Sequence, residues 1–329
     1  MMKVVISLWL SFLVLTAGEM AARRIMPADA CMRQDELLGF SLKPHASCWR
    51  QNRDFKVAYQ INSLGLRDRE VSEEKPAGVK RILLIGDSFT EGTGVPIEAT
   101  FGRKLENFLK FEIINAGVSG YSTLHEYLWL KNRGLNLQPD LVVINVNETD
   151  LGEAAKYHQV WQERGWQDLQ IQPSESVADK LKLLTLVRDR VMPLWRRKNE
   201  PKISVLVNSL DYWRLVESDI RRIDFLIKGR NIPLLVVFQP HGHHISSTAW
   251  ERGRLVHGFE VGRIYPPIMP KLLDRLAKEL DFKFLDLTNA FAAVDATQLY
   301  FPYDGHWTEA GHKLAAEVIG KYLYDYPLF

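Results

Sequence analysis

The sequence predicts an α/β fold in which a mainly parallel sheet carries helices on both faces. Two patterns predict it. Short runs rich in Val, Ile and Leu recur at residues 81–86, 111–115, 141–146, 233–238 and 282–287. Those at 81–86, 141–146 and 233–238 hold four or more apolar residues in succession, as a strand covered on both faces does. Between them lie stretches of helical periodicity at 101–110, 122–133, 212–228, 267–280 and 310–324, and regular alternation of the two element types points to a parallel sheet. In such sheets ligands meet the loops beyond the C-terminal strand ends. The composition agrees: of 329 residues, 46% are hydrophobic and 25% charged, enough for a sizeable core and too apolar for a disordered chain.

Before the regular part come two attachments. Residues 4–17 are an apolar run after Lys3, followed by Glu19, Arg23 and Arg24, so residues 1–22 read as a signal peptide or a membrane anchor. The small residues Ala17, Gly18, Ala21 and Ala22 make only imperfect cleavage sites, which favours the anchor. Positive charge on both flanks leaves orientation unassigned. The expected localisation is extracytoplasmic, periplasmic or secreted, with the body tethered by its N-terminus. Residues 23–79 read as an extension with turns at Lys43-Pro44-His45 and Asn62-Ser63-Leu64-Gly65, an alternating stretch at 55–61, and a charged linker at 67–80. Its Cys31 and Cys48 are the only cysteines. Two thiols cannot complete a four-ligand zinc site by themselves, and they either close one disulfide loop or stay free.

Residues 80–329 form the main domain, with one gap out of proportion. More than 80 residues separate Val146 from Pro233, where a crossover of about 30 would serve. An insert is expected at about 151–210, with a helix-like stretch at 177–195. It reads either as a lid or membrane-contacting helix, or as a helical pair packed on the sheet edge.

Charge excludes some partners. The 42 basic and 40 acidic residues leave a net charge of +2, and no run of five like charges occurs, so neither a nucleic-acid footprint nor a polybasic membrane patch is expected. The loop after the first core strand, Gly86-Asp87-Ser88-Phe89-Thr90 with Gly92 and Gly94, lacks the Gly-Lys-Ser/Thr ending of a phosphate loop and the dinucleotide G-x-G-x-x-G. It also departs from G-x-S-x-G, because Thr90 occupies the second glycine position. What it offers is a serine on a strand-to-helix turn. Near the C-terminus, Asp304-Gly305-His306 supplies a base for that serine and a carboxylate to orient the base, with one glycine letting both side chains share one side of a loop.

Gly86-Asp87-Ser88-Phe89, then Asn115-Ala116-Gly117, and finally Asp304-Gly305-His306 resemble, in this order, the blocks of the SGNH or GDSL-type hydrolases, over about residues 80–325. The resemblance implies a flavodoxin-like three-layer α/β/α sandwich and cleavage or transfer of acyl esters without metal or cofactor. It implies Ser88 as nucleophile, His306 as general base and then acid, and Asp304 as its orienting carboxylate. The N–H groups of Ser88 and Gly117 would line the oxyanion hole. Many members place the aspartate three residues before the histidine, where this chain has Tyr303; the shorter spacing resembles alginate-acetylation relatives. The third block departs further. In place of Gly-x-Asn-Asp stands Asn147-Glu148-Thr149-Asp150, so Thr149, or Asn147 swinging in, would have to serve as third donor.

His241, His243 and His244 follow the strand at 233–238. His241 and His243 are expected to contact substrate; as metal ligands the three lack an evident carboxylate. Asp87 is expected to brace the serine turn, and His125 to be structural. The function expected is an exported esterase or O-acyltransferase acting on acyl esters, such as O-acetyl, of a carbohydrate or cell-envelope substrate. Its rival is a non-catalytic glycan- or partner-binding module with the same sheet.

Overall fold

The computed structural model describes residues 9, 11–20, 31–164 and 210–326. Residues 11–20 are helical and leave Phe12, Leu13, Val14 and Leu15 more than half exposed; most of the remaining 1–22 segment lies outside the described residues. Among the described residues no helix is long and apolar enough to cross a membrane.

The extension folds as two antiparallel hairpins: β1 (Met32–Asp35) with β2 (Gly39–Leu42), and β3 (Ser47–Gln51) with β4 (Lys56–Gln60). The alternating stretch is β4, with Val57 and Tyr59 inward, as the period of two dictates. A disulfide joins Cys31 to Cys48; a loop of this length stabilises by about 3 kcal/mol in the chain-entropy view.

The charged linker needs correction at its start. Arg67 and Asp68 are only 2% and 4% exposed. Arg67 lies 3.7 Å from the Tyr59 ring centroid and donates to the carbonyls of Glu91, Gly92 and Val95 at 2.9, 2.7 and 2.6 Å. Asp68 accepts the Asn115 N–H at 2.8 Å. Buried backbone groups must find partners, and that demand arises from a distant loop, so a count of local charge does not show it.

The main domain then runs β5 (Arg81–Gly86), α1 (Ser88–Glu91), α2 (Phe101–Leu109), β6 (Glu112–Asn115), α3 (Thr123–Asn132), β7 (Leu141–Val146) and α4 (Thr149–Arg164). After the undescribed segment come α5 (Leu210–Lys228), β8 (Leu234–Phe238), α6 (Gly242–Ile245), α7 (Glu251–Val256), α8 (Met269–Leu280), β9 (Lys283–Asp286), α9 (Thr288–Ala292) and α10 (Glu309–Asp325). All five core strands fall within the runs read from the sequence. They pair in parallel in the order β6-β5-β7-β8-β9.

Alternate residues of each strand point to opposite faces, and the core divides accordingly. Leu83, Ile85, Val142, Ile144 and Val236 pack with α3, α5, α8 and the extension. Ile82, Leu84, Val143, Leu235 and Val237 pack with α2, α9 and α10. The result is a three-layer α/β/α sandwich. Burying each such aliphatic side chain contributes about 1.5–3 kcal/mol, which explains why the strands read as continuous apolar runs.

The early part of the expected insert is α4. It is tied to its neighbours by Asp219 of α5, which accepts from Thr123 of α3 at 2.9 Å and lies 2.8 Å from His158 Nε2 of α4. The helix expected at 177–195 lies outside the described residues. In this strand order the chain reverses direction between β5 and β7, so the crevice at their C-terminal ends is where a ligand belongs.

Candidate active site

Ser88 opens α1 directly beyond β5. Asp87 caps the helix, its Oδ1 accepting the Phe89 N–H at 2.9 Å, while Oδ2 accepts from Asn147 Nδ2 at 2.8 Å. Asp87 therefore braces the turn as expected, and burial pushes its carboxyl above the usual range. The first N–H groups of a helix have no intrahelical acceptor, so the Ser88 N–H is available to a developing oxyanion.

His306 reaches Ser88 from the loop before α10. Its Nε2 lies 2.7 Å from Ser88 Oγ, and its Nδ1 meets Asp304 Oδ1 in a short contact. Gly305 makes this possible. Its φ is +90°, and a Cβ there would stand 2.5 Å from Trp250 Nε1, so only glycine lets Asp304 and His306 converge against that ring. Burial alone would lower the His306 pKa; the hydrogen bond and charge of Asp304, aided by Asp87 and Glu91, instead hold it above the ordinary histidine value. Burial would raise Asp304, but His306 and a hydrogen bond from Asn52 hold it below the usual carboxylate range.

A general base must be neutral to accept a proton. Activity is therefore expected to fall as pH drops through the raised His306 pKa, with the acid limb of kcat/KM above about 6.5. A pH–rate profile with its acid limb well below that value would exclude His306 as the base.

The cleft over Ser88 has a volume of about 280 Å³, walled by Phe89, Trp250, Phe259, His241 and His243, with Glu153 and Thr149 among its polar lining. His241 and His243 thus lie where substrate contacts were expected. His243 stacks on Phe259 with ring centroids 3.9 Å apart. His241 Nε2 is 3.2 Å from Asn147 Oδ1. Burial first, then His244, pushes both imidazoles far down, so each is neutral near pH 7. His244 accepts the His241 N–H at 3.1 Å and faces Glu148 at 3.4 Å. That carboxylate belongs to the loop after β7, so it was not evident near the histidines in sequence. His125 is buried in α3, stacks on Tyr121 and is pushed down to about 3 by burial.

The other oxyanion candidates are engaged. Gly117 packs against the α1 backbone, leaving no room for a Cβ, and its N–H donates to Asn115 Oδ1 at 2.9 Å. Asn147 is fully buried, with an amide hydrogen on Asp87. Thr149 lines the cleft, but its hydroxyl donates to Asn147 Oδ1 at 2.7 Å. Placing an amide at this position should add a donor: Thr149→Asn is expected to raise kcat about 10-fold, part of the 10²–10³ that one oxyanion donor is worth. An unchanged or lower kcat in steady-state assays would mean that Thr149 or Asn147 already donates during turnover.

Two residues here escaped the sequence reading. Asn52 Nδ2 donates to Asp304 Oδ2 at 2.7 Å, and Asp54 Oδ2 accepts the N–H groups of Tyr303 and Asp304 at 2.9 and 2.7 Å. Both lie in the turn between β3 and β4, which carries no motif; only the Asn-x-Asp turn chemistry marks it.

The chain matches no protein-family model and no curated relative. Among solved structures it is similar to a protein described as lipolytic and of the G-D-S-L family from Desulfitobacterium hafniense, at 14% identity over 74% of this chain and 98% of that one, TM-score 0.42. It is similar to a lipase/acylhydrolase from Enterococcus faecalis, at 13% identity over 75% and 96%, TM-score 0.43. It is also similar to a catalytic mutant of an acetylxylan esterase from Geobacillus stearothermophilus, at 14% identity over 75% and 95%, TM-score 0.43. Each is a likeness of fold at low identity.

Proposed function

We propose that the chain is a serine esterase of the SGNH type that cleaves or transfers acyl groups through an acyl-serine intermediate. One observation carries this: Ser88 Oγ stands 2.7 Å from His306 Nε2, while Asp304 occupies the other ring nitrogen. Ser88 Oγ attacks the ester carbonyl as His306 takes its proton. Collapse of the tetrahedral intermediate releases the alcohol, which takes that proton from His306 and leaves the acyl group on Ser88. Water, or an acceptor hydroxyl in a transferase, then attacks the acyl-serine, gives its proton to His306, and the reverse collapse restores Ser88.

The substrate is an acyl ester with a short acyl group, such as O-acetyl on a carbohydrate of the cell envelope. A cleft of about 280 Å³ with aromatic walls suits a small apolar acyl group and a sugar face. The protein acts outside the cytoplasm, held by its N-terminal segment; the Cys31–Cys48 disulfide suits an oxidising compartment.

The test is turnover of p-nitrophenyl acetate and labelling by a fluorophosphonate, each compared with Ser88→Ala. Absence of any Ser88-dependent turnover or label would end this reading. A second reading, a non-catalytic glycan-binding module, draws on the engagement of Gly117, Asn147 and Thr149 with internal partners. Glycan binding unaffected by Ser88→Ala and His306→Ala, without turnover, would establish it.

A further inference from the structure

We propose that the N-terminal extension supplies part of the catalytic machinery, with Asn52 and Asp54 acting as positioning residues that fix Asp304 against His306. This rests on the esterase reading and deepens it. Asp304 carries two oxygens with two tasks: Oδ1 meets His306 Nδ1, and Oδ2 takes the Asn52 amide at 2.7 Å. Asn52 thus sets the rotation of the carboxylate, and Asp54 fixes its backbone by accepting the Tyr303 and Asp304 N–H groups.

The turn is itself held in place. Asn52 Oδ1 accepts the N–H groups of Asp54 and Phe55 at 2.8 and 3.1 Å, forming a compact turn at the hairpin tip. Phe55 packs on Phe301, ring centroids 5.2 Å apart, and the Arg53 guanidinium lies 5.2 Å from the centre of the Tyr303 ring. The hairpin therefore grips the loop on both sides of its polar contacts. The residue pair that holds the base in its catalytic tautomer is completed from 252 positions away in the chain.

Asn52→Asp isolates the role. Aspartate keeps the acceptor that forms the turn, loses the donor to Asp304 Oδ2, and adds a negative charge beside the triad. The charged and titratable groups around His306 include Asp304 on its own loop, Asp87 and Glu91 from α1, His241 after β8, His257 after α7 and His312 from α10; Arg53 and Asp54 meet the same loop from the hairpin. A further carboxylate favours the imidazolium. In the full chain, kcat for p-nitrophenyl acetate is expected to fall about 10- to 100-fold with KM unchanged. The His306 imidazole pKa, read by NMR titration, is expected to rise by about one unit. Asp54→Ala should lower kcat in the same way without that rise. An Asn52→Asp variant with wild-type kcat, or with an unmoved His306 titration, would overturn the assignment. Lack of Ser88-dependent turnover in the wild type would sink the esterase reading alone, because the NMR signal of the His306 Nδ1 proton, held downfield by Asp304 and expected to weaken in Asp54→Ala where no charge is added, still decides whether the hairpin positions the pair.

Discussion

Ser88→Ala is expected to lower ester turnover by about 10⁴- to 10⁶-fold and to abolish fluorophosphonate labelling, with the folded state intact. Among the described residues the hydroxyl's side-chain partner is His306, so its removal takes away the nucleophile without emptying a packed site. His306→Ala should cost about as much, and the double variant little more than either single one, because residues acting as a unit lose their effect together. Stopped-assay rates on the three purified variants, with circular dichroism as the folding control, check this. Additive losses, or a Ser88→Ala protein within about 10-fold of wild type, would show that Ser88 and His306 do not work as nucleophile and base.

Arg67→Ala is expected to destabilise the protein by about 3–5 kcal/mol, since it strands the buried carbonyls of Glu91 and Val95, leaves Gly92 with only the Val95 N–H, and removes a buried guanidinium. The side chain also fills the space under Tyr59. Thermal unfolding should shift down by about 10 °C. Because the three carbonyls belong to residues 91, 92 and 95, in and just after α1, the surviving protein should also turn over more slowly. A loss below about 1 kcal/mol in urea titration would mean that water or a neighbouring donor satisfies those carbonyls.

How far the sequence could be read follows from which interactions are local. β5 and β7 were legible to the residue, because a strand buried on both faces is apolar at nearly every position, Arg81 and Asn145 excepted. The meeting of Ser88, Asp304 and His306 was legible because a serine, a carboxylate and an imidazole stood in loops that the strand order brings to one end of the sheet. The state of the oxyanion donors was not. Whether Thr149 or Gly117 offers a proton to the cleft depends on competition from Asn147 and Asn115, which is a matter of ångströms between side chains. The burial of Arg67 and the reach of Asn52 were hidden for a related reason: each answers an unmet hydrogen-bonding group elsewhere, and polar residues in a turn look alike whether they face water or a distant carboxylate. The disulfide was open as one of two alternatives until β3 brought Cys48 to Cys31.

Ser88 precedes its base by 218 positions, and the hairpin that braces that base lies earlier still. A growing chain that ends before residue 306 cannot bring this imidazole to Ser88. Closing so wide a loop comes late, after local helices and neighbouring strands have formed. On the proposed esterase reading, a nascent polypeptide without that loop carries a serine with no base, and reactivity toward esters waits for the loop before α10 to dock.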